Sequence, residues 1–277
     1  MPIRFALCNE VLRGWDWPRI CRFAAEVGYD GLEVAPFTLS ETPHLTSPQE
    51  RSELRREAEA AGVRISGLHW LLVTPAGLHL THPDEGIRAR TSEFLRSMAG
   101  YCADLGGEFM VLGSPNQRSL LEGVTEELAH PYLMDALRLV LPELERRKVT
   151  LCLEPLPATE TNFLNTMEEA TQLASAVGSQ WVRVVADVKS LCSEGSPCDL
   201  IRRYANSIAY VHANDRNRRG PGFGDVDFKP IGQALADISY EGWVSVEPFD
   251  YSPDPATIAR QSLENLRTAF GSSGVPS

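Results

Sequence analysis

Four ionisable residues close four consecutive apolar runs in the second half of the chain. The runs end at Glu154, Asp187, His212 and Glu247. Only 23% of the chain is charged, so four such endings in a row argue for a shared role. Three carboxylates and one imidazole that converge would repel one another unless a cation lies among them. The pattern therefore predicts a metal site built from these four side chains.

The predicted ligands also indicate the chemistry of the site. Oxygen-rich ligation with a single imidazole suits a divalent ion such as Mn²⁺, Mg²⁺ or Co²⁺, and Zn²⁺ is compatible as well. Such an ion would polarise an oxygen of a substrate and stabilise an enediolate. Glu154 and Glu247 belong to separate runs and can approach two faces of a substrate. We expect them to remove a proton next to a carbonyl and to return it from the other side.

His212 lies within the stretch 207–228, whose sequence is SIAYVHANDRNRRGPGFGDVDF. An apolar run stops at this histidine, and a loop rich in Asn, Asp, Arg, Gly and Pro follows. A buried strand that delivers a histidine into such a loop is typical of metal and catalytic sites. Taken alone, the stretch is equally compatible with a strand and an ordinary surface loop, so the rest of the chain must decide.

The apolar runs alternate with helical patterns from one end of the chain to the other. We predict eight strands, at 3–8, 31–34, 63–68, 109–112, 149–153, 182–186, 208–211 and 243–246. We predict helices at 17–27, 47–61, 85–105, 125–147, 166–177, 199–205, 228–238 and 255–270, with Pro142 bending or splitting the fourth. The strands are continuous apolar runs, as expected when helices cover both faces of a parallel sheet.

Eight β–α units predict an α/β fold, a closed (β/α)8 TIM barrel, whose active site lies at the carboxyl ends of the strands. A doubly wound open sheet is the alternative. Against it, the first strand is followed by Cys8, Asn9 and Glu10 instead of a G-x-G-x-x-G turn. No linker divides the 277 residues, so we predict one domain over 1–277 with a frayed tail from about residue 271.

The charge and the cysteines limit the functional classes. A formal net charge of −11 argues against a nucleic-acid surface, which needs a basic face. The sequence contains no C-x-x-C pair, no signal-peptide pattern and no apolar run of membrane-spanning length. We therefore expect a cytoplasmic protein with reduced thiols and no membrane partner. The six cysteines are Cys8, Cys21, Cys102, Cys152, Cys192 and Cys198.

The set of predicted ligands resembles that of the sugar isomerase/epimerase superfamily of xylose isomerase-like barrels, and within it the ketose 3-epimerases, which act on tagatose and psicose. Those enzymes hold one divalent metal with Glu, Asp, His and Glu at the matching strand ends. The stretch HANDRNRRGPGFG and the segment VEPF carry the likeness. The resemblance implies that Glu154 and Glu247 are the acid/base pair and that Arg218 and Glu160 contact the substrate. It also implies a small carbohydrate substrate and a homodimer or homotetramer.

The chain departs from the ketose 3-epimerases in two places. Those enzymes carry a histidine three residues after the metal aspartate, where this chain has Ser190, preceded by Lys189. Lys189 can reach the substrate or can be a solvated surface group. The loop GSPNQRS after the fourth strand contains Gln117 and Arg118, which bind an anionic group of the substrate or belong to a surface turn.

Three further residues stand at strand ends in the first half of the chain. His69 and Trp70 follow the third strand, and Glu33 ends the second. His69 is expected to line the substrate pocket, and Glu33 to contact the substrate or a metal ligand. Trp70 can stack on a sugar ring or pack in the core.

The function expected from these residues is metal-dependent isomerisation or epimerisation of a ketose, a sugar phosphate or a related polyol. The runner-up is a dehydratase on the same scaffold, acting on a keto-inositol or dehydroshikimate-like substrate. An abasic-site endonuclease would need more histidines at the strand ends and a basic groove. A barrel that keeps its metal without catalysing a reaction is the remaining alternative.

Overall fold

Eight parallel strands pair in sequence order and close into a barrel, because the first strand also pairs with the last. The computed structural model describes residues 3–271. It confirms the predicted (β/α)8 barrel. The strands are β1 Arg4–Cys8, β2 Gly31–Val34, β3 Arg64–Leu68, β4 Phe109–Leu112, β5 Thr150–Leu153, β6 Val182–Asp187, β7 Ile208–Ala213 and β8 Trp243–Val246.

The helices surround the barrel and bury their apolar faces against the strands. Asp16 accepts a hydrogen bond from the main chain at the start of the first helix, and Ser47 and Glu50 form the expected capping box of the second helix. The helices are α1 Trp17–Val27, α2 Pro48–Ala61, α3 Glu85–Asp104, α4 Glu126–Arg147, α5 Met167–Val177, α6 Val188–Glu194, α7 Pro197–Arg203, α8 Phe228–Asp237 and α9 Pro255–Phe270.

One helix that could have been split is continuous, and one short helix was not predicted. The α4 helix is continuous and includes both Pro131 and Pro142, so Pro142 does not split it. The sequence also predicted no α6, which begins directly after Asp187 and contains only 7 residues. Two turns are too short to produce a readable apolar period. The carboxylate of Asp187 caps this helix by accepting a hydrogen bond from the Ser190 amide at 2.7 Å.

A layer of side chains fills the lower interior of the barrel. It consists of Ala6, Val111, Cys152, Val185, Tyr210 and Trp243. Side chains two residues apart on a strand point to the same face. The positions two residues beyond this layer are therefore directed at the carboxyl end of the barrel. They are occupied by Glu154, Asp187 and His212 after the members from β5, β6 and β7.

The expected frayed tail falls outside the described residues, except for Gly271. Within residues 3–271, every helix is too short or too polar to cross a membrane.

Candidate metal centre and active site

The four predicted metal ligands lie together at the carboxyl end of the barrel. Glu154 follows β5, Asp187 ends β6, His212 lies in β7, and Glu247 follows β8. One ligand atom from each side chain lies within 4.8 Å of the ligand atoms of the other three, and all four residues are buried. Three carboxylates and one imidazole nitrogen form a donor set that fits a divalent cation.

The imidazole of His212 presents its two nitrogens to different carboxylates. Its Nδ1 atom lies 2.6 Å from Oε1 of Glu154 and 3.1 Å from Oε2 of Glu247. Its Nε2 atom lies 3.1 Å from Oε1 of the fully buried Glu33. The nitrogen that faces the cluster is thus Nδ1, and Glu33 can hold the ring by accepting the Nε2 hydrogen.

Asn214 orients two of the carboxylates. Its side-chain amide donates to Oδ2 of Asp187 at 2.6 Å and to Oε2 of Glu247 at 3.3 Å. Its side-chain oxygen, Oδ1, accepts a hydrogen bond from the main-chain amide of Lys189 at 2.9 Å. The sequence reasoning missed Asn214, although strand alternation places it two residues after His212 and on the same face.

His69 bridges two acidic residues beside the cluster. Its Nδ1 atom lies 3.2 Å from Oε1 of Glu247, and its Nε2 atom lies 2.9 Å from Oε2 of Glu10. Below it, the thiol of Cys8 donates to Oε2 of Glu33 at 3.2 Å. Cys8, Glu33, His69 and His212 also bring ligand atoms within 4.8 Å of one another. The cluster therefore rests on a second buried layer of polar side chains.

The charges in the site push the pKa values of its groups in opposite directions. Burial raises the pKa of Glu154 to about 7. Burial also raises the pKa of Glu247, but His212 and His69 more than reverse this effect, and the net pKa lies below its ordinary value. Burial lowers the pKa of His212, yet the surrounding carboxylates, Glu247 foremost, hold it well above its ordinary value. The surrounding carboxylates thus stabilise a positive charge at the centre of the cluster.

A close backbone approach makes room for the first of the four predicted ligands, Glu154. A Cβ atom on Gly113, directly after β4, would collide with the carboxylate of Glu154. Only glycine leaves the space that this carboxylate occupies.

A cleft opens above the cluster with about 310 Å³ of empty space, including its mouth. Apolar and aromatic side chains form part of its lining, as is common in small-molecule sites. It is lined by His69, Trp70, Gly113, Ser114, Pro115, Glu154, Leu156, Glu160, Glu247 and Phe249. Phe249, which the sequence reasoning missed, packs edge-on against Trp70 with ring centroids 6.3 Å apart.

Lys189 reaches the wall of the cleft. It is the second residue of α6, and its ammonium donates to Oε1 of Glu160 at 2.5 Å. The same nitrogen lies 3.9 Å from Oδ1 of Asp187 and 5.5 Å from the ring centroid of Phe249. Burial lowers the pKa of Lys189, but Asp187 and Glu160 raise it above its ordinary value, so the side chain is a cation. It is buried, which excludes the reading of a solvated surface lysine.

Arg218 lies at the outer edge of the cleft. Its guanidinium stands 5.1 Å from the ring centroid of Phe249, and the residue is exposed. Its main chain adopts a φ of 68°, and its carbonyl accepts hydrogen bonds from the amides of Phe249 and Asp250 at 2.7 and 2.9 Å. Arg218 thus connects the loop after β7 to the loop after β8.

The loop after β4 differs from its expected role. Gln117 and Arg118 do not line the cleft, whereas Ser114 and Pro115 of the same loop do. The guanidinium of Arg118 is fully buried and donates to main-chain carbonyls, so it has no free face for an anionic group of a substrate. This corrects both readings of Arg118, because it is neither an anion site nor part of a surface turn.

The family model described as "Xylose isomerase-like TIM barrel" matches residues 21–269. The chain is 28% identical over 231 residues to a D-psicose 3-epimerase of Ruminiclostridium cellulolyticum, which covers 81% of this chain and 75% of that protein. A D-psicose 3-epimerase of Enterocloster bolteae is 36% identical over 106 residues, but this match spans only 38% of the chain and 35% of that relative's length.

Solved structures agree on the fold. The crystal structure of a D-psicose 3-epimerase in the presence of D-fructose superposes with a TM-score of 0.84 at 21% identity, and covers 97% of this chain and 100% of that one. The closed barrel, the order of its strands and the extent of the family match lead to one conclusion: the chain belongs to the xylose isomerase-like TIM-barrel family.

Proposed function

We propose that the protein is a divalent-metal-dependent sugar epimerase or isomerase that acts on the carbon next to the carbonyl of a ketose. The observation that carries this proposal is the buried cluster of three carboxylates and one imidazole at the base of a cleft. The names of its relatives, D-psicose 3-epimerases, point to the same reaction class.

Glu154, Asp187, His212 and Glu247 would hold the metal, which we propose to be Mn²⁺, Mg²⁺ or Co²⁺ because three of the four donors are carboxylates. Bound there, such an ion would polarise the carbonyl of the substrate and offset negative charge on its oxygen.

The two glutamates would carry the proton. Both line the cleft, and they come from β5 and β8, which are not neighbours in the barrel. One carboxylate removes the proton from the carbon next to the carbonyl, and the other returns a proton from the opposite side. The Nδ1 atom of His69, 3.2 Å from Oε1 of Glu247, restrains that carboxylate.

Residues in and beside the cleft would bind the sugar. Glu160 and Lys189 offer an acceptor and a cation for hydroxyl groups. Trp70 and Phe249 offer aromatic surface, and Phe249 lies next to the Lys189 ammonium. Arg218 stands at the outer edge, where it can reach a substrate oxygen.

Exchange of a carbon-bound proton tests this assignment directly. In deuterated water, the wild-type enzyme loaded with Mn²⁺ should incorporate deuterium at the epimerised carbon of a ketohexose such as D-psicose. Glu154→Gln and Glu247→Gln should each slow the exchange by about 10²-fold to 10⁴-fold. Glu59→Gln is the control, because Glu59 lies on the exposed face of α2. Undiminished exchange in both site variants would contradict the acid/base assignment.

The mass of the product distinguishes epimerisation from dehydration. An epimer has the mass of its substrate, whereas a dehydratase that uses the same base and metal releases water. Loss of water from a keto-sugar or keto-inositol substrate, with no epimer formed, would replace the proposed reaction by the dehydratase reaction.

A further inference from the structure

Arg118 is buried as a cation inside the barrel wall, with 1% of its surface exposed. Its Nη1 atom donates to the carbonyl oxygen of Glu154 at 2.6 Å and to that of Leu112 at 3.3 Å. Its Nη2 atom donates to the carbonyl oxygen of Leu164 at 3.4 Å. None of the ion pairs within residues 3–271 includes Arg118. Its hydrogen bonds therefore all go to main-chain oxygens, while the carboxylates of Glu154 and Glu160 act on its charge from beyond ion-pair distance.

Two of these carbonyl groups, those of Glu154 and Leu164, mark the ends of one segment that reaches the cleft. Leu112 ends β4, and Glu154 is the first residue after the neighbouring β5. The segment 154–164 then carries Glu160 to the cleft and turns back at Leu164. One side chain thus ties both ends of the segment that contains a proposed metal ligand and the partner of Lys189.

The backbone at Leu164 needs such support. Its φ is 61°, in the left-handed region that branched side chains rarely adopt. Its carbonyl accepts from the Arg118 guanidinium and also from the amide of Leu156 at 3.3 Å. A strained residue persists where surrounding contacts determine its conformation, and such residues concentrate at functional sites.

A contribution to the stability of the fold does not by itself explain why an arginine is buried at position 118. A buried guanidinium without a carboxylate partner costs free energy that an apolar side chain of the same size would not. The Nε atom of Arg118 also lacks a hydrogen-bond partner among the described residues. What arginine supplies is a planar fork that fixes the directions of several acceptors at once.

The main chain at Glu154 has little freedom to move without disturbing the site. Its carboxylate is enclosed between the backbone of Gly113 and Nδ1 of His212, which lies 2.6 Å away. A shift of a few tenths of an ångström in the backbone would therefore displace the ligand atom.

We propose that Arg118 is a positioning residue, which fixes the main chain of Glu154 and the segment 155–164 and so places the Glu154 carboxylate for metal binding and Glu160 for its contact with Lys189. This inference rests on the proposed function only in that Glu154 is taken as a metal ligand.

Metal affinity and hydrogen exchange test it without any substrate. Arg118→Met fills the space without donors, and Arg118→Lys keeps the charge but loses the fork. Arg51→Met is the control, because Arg51 also donates to main-chain carbonyls, those of Thr46 and His44, and pairs with Asp104, all away from the site. Arg118→Met should raise the Kd for Mn²⁺ at least tenfold. It should also speed amide exchange at residues 156–164 at least tenfold, with Arg118→Lys intermediate. Arg51→Met should change neither value.

Activity provides a further readout. With Mn²⁺ saturating, Arg118→Met should lower kcat about tenfold with KM changed less, because the acid/base group is displaced while the other substrate contacts remain. If Arg118→Met binds Mn²⁺ and exchanges amides at 156–164 within twofold of wild type, the proposal is overturned. If neither Arg118 variant folds, Arg118 is a requirement of the whole barrel and the proposal also fails. A wild-type protein that binds Mn²⁺ but epimerises no ketose would overturn the proposed function and leave the role of Arg118 intact.

Discussion

The Nε2 atom of His212 lies 3.1 Å from the Oε1 atom of Glu33, and both side chains are fully buried. Glu33 therefore sets which edge of the ring faces the carboxylate cluster. Partners of this kind orient a metal-binding imidazole and raise its basicity.

Removing this partner should weaken metal binding without touching a proposed ligand. Glu33→Ala is expected to raise the Kd for Mn²⁺ about tenfold to 100-fold, measured by calorimetry. Glu33→Gln keeps an acceptor for the Nε2 hydrogen and should lose less. Equal affinity in Glu33→Ala and wild type would show that His212 does not need Glu33 to bind the metal.

Gly113 should tolerate no side chain. In Gly113→Ala the added methyl group would meet the carboxylate of Glu154, so Mn²⁺ affinity should fall at least tenfold. Gly195→Ala is the matched control, since a Cβ atom there meets nothing within 4 Å. Calorimetric titration of both variants makes the comparison, and a normal Mn²⁺ affinity in Gly113→Ala would mean that Glu154 is not a ligand.

Metal binding should depend on pH through Glu154. Burial raises the pKa of this carboxyl to about 7, and a ligand must lose its proton before it binds a cation. The affinity for Mn²⁺ should therefore fall as the pH drops below about 7, and binding at pH 6 should release the proton of Glu154, together with the proton that the raised pKa of His212 keeps on its imidazole. Calorimetry in buffers of different ionisation enthalpy measures this release. Binding at pH 6 that is both proton-neutral and as tight as at pH 8 would contradict it.

Removal of the metal should lower thermal stability. A ligand at 100 times its Kd stabilises the native state by about 2.7 kcal/mol, which corresponds to about 5 °C in Tm for a domain of this size. Dialysis against EDTA should lower Tm by that amount, and Mn²⁺ should restore it. Asp187→Asn should show a smaller response to Mn²⁺, and an unchanged Tm in wild type through both steps would argue against a bound cation.

Lys189 should affect substrate binding more than metal binding. Its ammonium donates to Glu160 at the wall of the cleft, so Lys189→Met should raise KM for a ketose about tenfold while Mn²⁺ affinity stays within threefold. Lys229→Met, at an exposed position in the first turn of α8, serves as the control. A variant with normal KM would assign Lys189 a purely structural pairing with Glu160.

The sequence was most informative about the strands and about the polar residue that ends each of them, because one short stretch of sequence contains all the information needed. Continuous apolar runs identified the strands, and the polar residue that ends each run identified Glu154, Asp187, His212 and Glu247. Each of these signals lies within one strand of the sequence. Once the strands form a barrel, all their carboxyl ends lie at one rim, and the side chains that end the strands come together there.

Contacts between distant segments were not readable in the same way. The guanidinium of Arg118 reaches carbonyls up to 46 residues away in the chain, and main-chain acceptors leave no mark in a sequence. In the sequence, Glu10 was noted only because it stands where a glycine-rich turn would follow the first strand. In the structure, its Oε2 atom lies 2.9 Å from Nε2 of His69, which is 59 residues away in the chain. The α6 helix was missed because its N-cap, Asp187, was already interpreted as a strand end.

The pairing of β1 with β8 closes the ring, and polar contacts at the rim cross this seam. Glu247 follows β8, while its hydrogen-bond partner His69 follows β3 on the far side of the closure. The proposed ligand set is therefore complete only after the last strand has docked. A fragment that lacks β8 would keep three of the four proposed ligands but would lose the restraint that the seam provides, so we expect tight metal binding only once the ring has closed.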